Sequence, residues 1–208
     1  MALPDAQALY VGLCGAIMAK HSVWEGTWEP TVAEYLYALG RSEDMQCQTG
    51  PTTANCPRPE TNSHEWLWDF LLTKGKVGAD GFQSVELACE YECQASLPAI
   101  RYDFQKLLAS KSPKLIFVGF AGTTYERSVR PRLEALKSDV RNYPLDEDQE
   151  LLAVIVKEPG RGDPAGSFGT AYGLAFTTGR EAVELGPTVL IHSAGEPVGK
   201  ASGQLLSG

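Results

Sequence analysis

The sequence predicts an α/β or α+β sandwich with a mixed central sheet. Two short, continuous apolar runs, LIFVGF at residues 115–120 and LLAVIV at residues 151–156, are typical of strands that are covered on both faces. Helical periodicity separates these runs, and an alternating segment with turn residues precedes them, as expected for a hairpin. The resulting order of strand, strand, helix, strand, helix, strand favours a sheet with helices packed against it.

The first sixty residues predict two helices and a long loop. Apolar residues recur at helical spacing over roughly residues 4–20, which indicates a first, largely buried helix. A shorter helix is expected to begin at Pro30 and to be closed by Gly40. Residues 41–63 are polar, contain three prolines and have no periodicity, so we expect a mobile or functional loop there.

The middle of the chain predicts a hairpin followed by a helix. The segment WLWDFLL alternates and is expected to form a strand that carries one acid, Asp69, among apolar neighbours. The turn-rich segment KGKVGADG leads to VELACEYE at residues 85–92, which is predicted to pair with that strand. After Pro98 the spacing of AIRYDFQKLLASK is helical, and a further helix is expected from Pro131.

A single domain is expected to account for all 208 residues, because this length is typical of one hydrophobic core. The predicted core spans about residues 65–157, with N-terminal helices over residues 4–40. The Gly-rich C-terminal extension, residues 158–208, is expected to add one or two strands.

The charge balance limits the classes of function. The net charge of -8 and the isoelectric point near 4.9 leave no global basic field for nucleic acid, which counts against a dedicated DNA-binding module. An enzyme with an acidic metal site is compatible with this charge, because bound cations neutralise such a site.

Cysteine usage favours a cytoplasmic protein with reduced thiols, because the five cysteines show no framework spacing. Cys47, Cys56 and His64 lack the CxxC spacing that is typical of a zinc site. No segment reaches transmembrane length, so no membrane partner is expected.

Acidic residues form a pattern that is unusual for a strand face. If VELACEYE is a strand, Glu86, Glu90 and Glu92 share one face. Opposed side chains on antiparallel strands lie about 5 Å apart, so this face and Asp69 could share a cation. The like charges need compensation by a divalent metal, by raised pKa values or by solvent exposure. Hard oxygen ligands favour Mg²⁺ or Mn²⁺ over zinc, and a solvated edge-strand face is the alternative interpretation.

Asp103 and Lys106 lie three residues apart on the helix predicted to follow. If this helix packs against the sheet, the Lys106 ammonium could reach the acidic residues, where it could stabilise a pentavalent phosphorane or position an attacking water. An intrahelical ion pair of little energetic weight is the alternative.

Over about residues 65–120 the chain resembles the PD-(D/E)XK nuclease superfamily. The resemblance lies in the successive segments WLWDF, EYE and YDFQKLL and in the apolar strand predicted after them. The resemblance implies a restriction-endonuclease-like three-layer sandwich, with a mixed central sheet flanked by helices. It implies that Asp69 and Glu90 bind Mg²⁺, with Glu92 as a further ligand at the position where a lysine normally stands. Lys106 would then supply the lysine, as in members that recruit it from the following helix.

Arg127, Arg130 and Arg132 belong to a segment that concentrates positive charge in an acidic protein. They are candidate contacts for the phosphates of a substrate. A solvated helix face is the alternative interpretation.

The expected function is therefore that of a nuclease that uses Mg²⁺ (or Mn²⁺) to hydrolyse phosphodiester bonds of nucleic acid, with DNA the expected substrate. Its catalytic residues would be Asp69, Glu90, Glu92 and Lys106. The resemblance implies a homodimer that acts in restriction, defence or repair. The net charge and the missing Glu-x-Lys step favour an alternative, a catalytically inactive nuclease-fold protein that serves as an acidic interaction or immunity-type module.

Overall fold

A seven-stranded mixed sheet forms the centre of the described part of the chain, and its strands are arranged in sequence order. The computed structural model describes residues 3–20, 28–49, 68–75, 83–94, 96–159, 167–177 and 182–191. The strands are β1 (Gln46–Thr49), β2 (Phe70–Lys74), β3 (Ser84–Glu92), β4 (Lys114–Ala121), β5 (Glu150–Lys157), β6 (Ser167–Phe176) and β7 (Ala182–Ile191). The helices are α1 (Ala6–Lys20), α2 (Trp28–Ser42), α3 (Leu97–Leu108) and α4 (Arg130–Asn142), and a π-helical turn (Tyr125–Val129) leads into α4.

The direction of the strands confirms the predicted mixed sheet. β1, β2 and β3 are antiparallel neighbours, β3, β4 and β5 are parallel, and β6 and β7 return to antiparallel pairing. Parallel neighbours require a crossover, which α3 provides between β3 and β4 and α4 provides between β4 and β5. As a result, the carboxyl ends of β3, β4 and β5 lie at the same edge of the sheet.

Helices cover both faces of the sheet, which gives layers of helix, sheet and helix. One core joins α1 and α2 to side chains such as Cys89 and Ile116, and the other joins α3 and α4 to side chains such as Ala88 and Phe117. The central strands are apolar on both faces because each face contacts a helical layer. No helix in the described ranges is long and apolar enough to cross a membrane.

Two sequence-based boundaries in the N-terminal region are wrong. Helix α2 passes through Gly40, because a glycine there allows close packing against β2; a Cβ atom would lie 2.8 Å from Cδ2 of Leu72. The segment 41–63 is not one loop either, because β1 lies within it and pairs with β2. Residues 50–63, including Cys56, and also His64, lie outside the described residues.

The hairpin of β2 and β3 is confirmed, but two of its details differ from the prediction. Asp69 lies one residue before β2 rather than inside the strand, and its Oδ2 accepts a hydrogen bond from the backbone N–H of Tyr91 at 2.9 Å. In β3 the register shifts so that Leu72 pairs with Leu87 and Thr73 with Val85, which leaves Glu86 as the extra residue of a bulge.

Phe117 provides a test of how α3 is held on the sheet. Its fully buried ring meets Phe104 of α3 edge to face, with ring centroids 5.3 Å apart. We expect Phe117→Ala to lower the free energy of unfolding by about 3–5 kcal/mol, measured by denaturant titration, because it leaves a cavity in this core. Tyr143→Ala is the control, since Tyr143 is 58 % exposed and its removal should change stability by less than about 0.5 kcal/mol. Equal losses in the two variants would contradict this packing.

Candidate functional site

Five ionisable side chains meet where β2 begins and β3 ends, on the face covered by α3 and α4. We call Asp69, Glu90, Glu92, Asp103 and Lys106 the acid cluster. The register of the hairpin explains the first contact: Phe70 pairs with Cys89, so one step further along both strands Asp69 faces Glu90. The cluster therefore combines the hairpin with the helix that follows it.

Glu90 is the most buried member of the acid cluster, with 1 % of its surface exposed. Its Oε2 atom lies 2.8 Å from Nζ of Lys106, whereas its buried Oε1 atom accepts no hydrogen bond from the residues that the structure describes. Burial raises the pKa of Glu90 to about 8; the charges of Asp69 and Asp103 add to this rise, and Lys106 opposes it. Glu90 therefore holds a proton over much of the neutral range.

Asp69 is coupled to Glu90. Burial raises the pKa of Asp69, while the hydrogen bond from the Tyr91 N–H and the charge of Lys106 act in the opposite direction. The protonated carboxyl group of Glu90 favours ionised Asp69, and the Asp69 charge in turn raises the pKa of Glu90. The titrations of the two carboxyl groups are therefore linked.

Glu92 also faces the acid cluster. It is 9 % exposed, and its Oε1 atom accepts a hydrogen bond from the backbone N–H of Gln94 at 2.6 Å. Burial raises the pKa of Glu92, and so does its contact with the carboxyl group of Asp103. The side chain therefore does not belong to a solvated edge-strand face, which was the alternative interpretation of VELACEYE.

Lys106 reaches the acid cluster from α3. Besides Glu90, its Nζ atom contacts Oδ1 of Asp103 at 3.3 Å, so the intrahelical ion pair forms as well. Burial lowers the pKa of Lys106, but hydrogen bonding to Glu90 and the charges of Glu90 and Asp103 outweigh burial and the net shift is upward. Lys106 is therefore a cation held among carboxyl groups.

Glu86 does not take part in the acid cluster. The bulge and its four-residue separation from Glu90 place it about 13 Å away along the strand. Its Oε2 atom lies 3.2 Å from Nζ of Lys74, and a hydrogen bond from Ser84 lowers its pKa.

Asp103 was undervalued by sequence reasoning, although its three-residue spacing from Lys106 already placed the two on one side of α3.

The chemistry of the acid cluster is compatible with a hard divalent cation. In the described part of the chain, no three His, Cys, Asp or Glu side chains are already arranged to hold a metal ion. Mg²⁺ does not require such a cage, because it is usually bound through one or two carboxylates, several waters and substrate phosphates. The observation that fits such an ion is the Oε1 atom of Glu90, which lies beside Asp69 and accepts no hydrogen bond within the described ranges.

The three arginines proposed to contact substrate have different environments. Arg127 and Arg130 are exposed, and Arg130 forms an ion pair with Glu126 at 2.7 Å. Arg132 is 9 % exposed and donates a hydrogen bond to the carbonyl of Ser128, and burial lowers its pKa. Arg127 belongs to the π-helical turn that follows β4, at the same sheet edge as the acid cluster, whereas Arg132 is one of the buried residues of α4.

The raised pKa of Glu90 predicts how stability depends on pH. The pKa of Glu90 rises from 4.5 in the unfolded chain to about 8 in the folded protein. Between these two pH values the folded protein therefore binds one proton that the unfolded chain has lost. The stability that this proton contributes is fully present below the pKa of the unfolded chain. It is lost as pH rises through the pKa of the folded protein. Glutamine cannot ionise, so the melting temperature of Glu90→Gln should rise relative to that of the wild type between about pH 5 and about pH 9.

Glu86→Gln on the same strand is the control for this pH dependence. Its carboxyl group has a lowered pKa and stays ionised across the range, so its effect on melting temperature should be constant. If Glu90→Gln also shifted the melting temperature by one constant amount at every pH, Glu90 would not carry the proton described above.

Comparisons with known proteins add no assignment to this geometry. No protein-family model, no curated protein and no solved structure matches the chain. The acid cluster, and the topology that assembles it, are therefore the features that indicate a function.

Proposed function

We propose that this protein is a Mg²⁺-dependent nuclease of the PD-(D/E)XK type that hydrolyses phosphodiester bonds. The observation that carries the proposal is the meeting of Asp69, Glu90 and Lys106 from three separate elements. The order α2, β1, β2, β3, α3, β4, with the two acids on the β2–β3 hairpin, supports a restriction-endonuclease-like arrangement. In this proposal the lysine comes from α3, and Glu92 stands at the position that a lysine normally occupies.

Asp69 and Glu90 would hold the ion, with Glu92 as a further ligand. Glu90 is suited to this role because its Oε2 atom contacts Lys106 while its Oε1 atom accepts no hydrogen bond from any described residue. The chemistry supplied by bound Mg²⁺ is polarisation of the scissile phosphate and activation of an attacking water. The raised pKa values of the three carboxyl groups would fall when a divalent charge compensates their mutual repulsion.

Lys106 would stabilise the charge that develops on the phosphoryl oxygens. Its ammonium group is preorganised by Glu90 and Asp103, so it needs little reorganisation when the substrate arrives. Arg127 and Arg130 would bind phosphates away from the scissile bond, because both are exposed near the same edge of the sheet. Arg132 is a weaker candidate for this role because of its burial.

The substrate we propose is nucleic acid, with DNA favoured by the resemblance to the superfamily. Because the protein carries a net charge of -8, attraction of the nucleic-acid phosphates must come from local positive charge. A metal ion in the acid cluster and the two exposed arginines, Arg127 and Arg130, would provide that charge. A homodimeric, cytoplasmic protein of restriction, defence or repair is the biological setting that the resemblance favours.

An inactive interaction module is the second candidate. It is favoured by the Lys106 ammonium, which already offsets part of the acidic charge, and by the lack of a preformed three-ligand set in the described residues. In that case the ion pair of Glu90 and Lys106 would serve only to fix α3 on the hairpin, and no divalent ion would be needed.

A cleavage assay separates the two candidates. We expect the wild type to cleave single- or double-stranded DNA or RNA in Mg²⁺ or Mn²⁺ and to lose activity in EDTA. Asp69→Asn and Glu90→Gln should each lower the cleavage rate by more than about 100-fold. Residues that only support metal ligands typically cost about 10–100-fold. Lys106→Met should lower it by about 100–1,000-fold through loss of charge stabilisation.

Matched controls come from acids and lysines outside the acid cluster. Glu86→Gln lies on the same strand as Glu90, and Lys111 is 81 % exposed and pairs with Asp146, so Lys111→Met removes a lysine without touching the cluster. Both variants should cleave at the wild-type rate. Absence of cleavage by a nuclease-free preparation on all four substrates, or activity that survives Glu90→Gln, would refute the proposal.

A further inference from the structure

A second feature of the α3/α4 face is a pocket of about 280 Å³ between the π-helical turn, α4 and the last two strands. Small-molecule pockets are typically about 300–1,000 Å³, so this one is suited to a small planar group rather than to a large ligand. Its lining comes from four elements and includes Tyr125, Tyr172 and Glu184.

The pocket has aromatic and apolar walls with an acidic group at one side. The rings of Tyr125 and Tyr172 have centroids 5.0 Å apart and are tilted by 40° to each other, and Tyr125 is 37 % exposed. Glu184 is 63 % exposed and contacts Nζ of Lys137 at 2.6 Å. Aromatic faces stack on planar rings, and a carboxylate accepts hydrogen bonds from the amino and imino groups of bases.

The pocket and the acid cluster are connected by one row of residues across the sheet. Glu92 pairs with Gly119, Gly119 with Ile155, and Ile155 with Tyr172. Three steps between neighbouring strands, at about 4.8 Å each, separate Glu92 from Tyr172 by about 14 Å. The π-helical turn packs on β5, the third strand of this row, and carries the exposed Arg127.

We propose that Tyr125 and Tyr172 form a base-binding subsite that takes one unpaired nucleobase of a nucleic-acid strand. The inference builds on the proposed function, because the strand that enters the subsite is the one whose phosphate lies at the acid cluster. Arg127 contacts a phosphate between the two places, so the bound base lies a few nucleotides from the scissile bond. The substrate class is therefore nucleic acid with at least one unstacked base.

Binding of labelled single-stranded DNA of about 12 nucleotides, followed by fluorescence anisotropy with Ca²⁺ in place of Mg²⁺, tests the subsite without cleavage. Tyr172→Leu and Tyr125→Leu should each weaken binding by about 5–150-fold, the loss expected for one stacked base. Tyr143→Leu is the matched control, because this exposed tyrosine does not line the pocket, and it should bind as the wild type does. Tyr125→Leu keeps the test valid if Tyr172→Leu fails to fold, since Tyr125 is partly exposed.

A set of oligonucleotides, each with one abasic position, locates the bound base. One position should weaken wild-type binding and have no further effect on Tyr125→Leu. Tyrosine variants that bind as tightly as the wild type, or a wild type that binds none of these strands, would overturn the subsite. Tyrosine-dependent binding without any Mg²⁺-dependent cleavage would support the subsite and refute only the nuclease activity. Metal-dependent cleavage and strand binding that are unchanged in both tyrosine variants would support the nuclease activity and refute the subsite.

Discussion

The burial of the Glu90 carboxyl group at the end of β3 is the constraint on which the arrangement of the α3/α4 face depends. An ionisable group that is 1 % exposed is costly unless a partner compensates it, and the nearest partner is the ammonium of Lys106 on α3. Helix α3 is in turn held by an aromatic contact with β4 and by Arg101, whose Nε atom donates to Asp139 of α4 at 2.9 Å. The helical layer thus places one cation among buried and half-buried acids, and among the described residues one Glu90 oxygen accepts no hydrogen bond.

Much of this arrangement could be predicted because it depends on local patterns. The buried strands β4 and β5 follow from continuous apolar runs, and α3 follows from the helical spacing of the apolar residues after Pro98. The meeting of Asp69, Glu90 and Lys106 was also predictable, since a hairpin register and the first helix after it involve short separations along the chain. The metal ion, the substrate and the oligomeric state stay predictions, because they depend on molecules outside the chain.

The remaining features depend on contacts between distant parts of the sequence. Helix α2 continues through Gly40, where the absence of a side chain leaves room for Leu72 of β2. Glu86 is separated from Glu90 and Glu92 by a bulge that arises only from the pairing of β3 with β2. Arg132 faces inward because of the orientation of α4, which the spacing of its charges did not reveal. The contact of Tyr125 with Tyr172 arises because β5 and β6 pair next to the π-helical turn, and neither tyrosine belongs to a recognisable pattern.

Isothermal titration of the wild type and of Glu90→Gln with Mn²⁺ tests the central claim most directly, because it measures cation binding without assuming a substrate. A buried Glu90 beside a half-buried Asp69, with one Glu90 oxygen that accepts no hydrogen bond in the described part of the chain, should bind the ion saturably. The binding should disappear in Glu90→Gln, while Glu86→Gln retains it. Absence of saturable binding to the wild type, or equal affinity in Glu90→Gln, would show that the acid cluster is a structural ion-pair network and not a metal site.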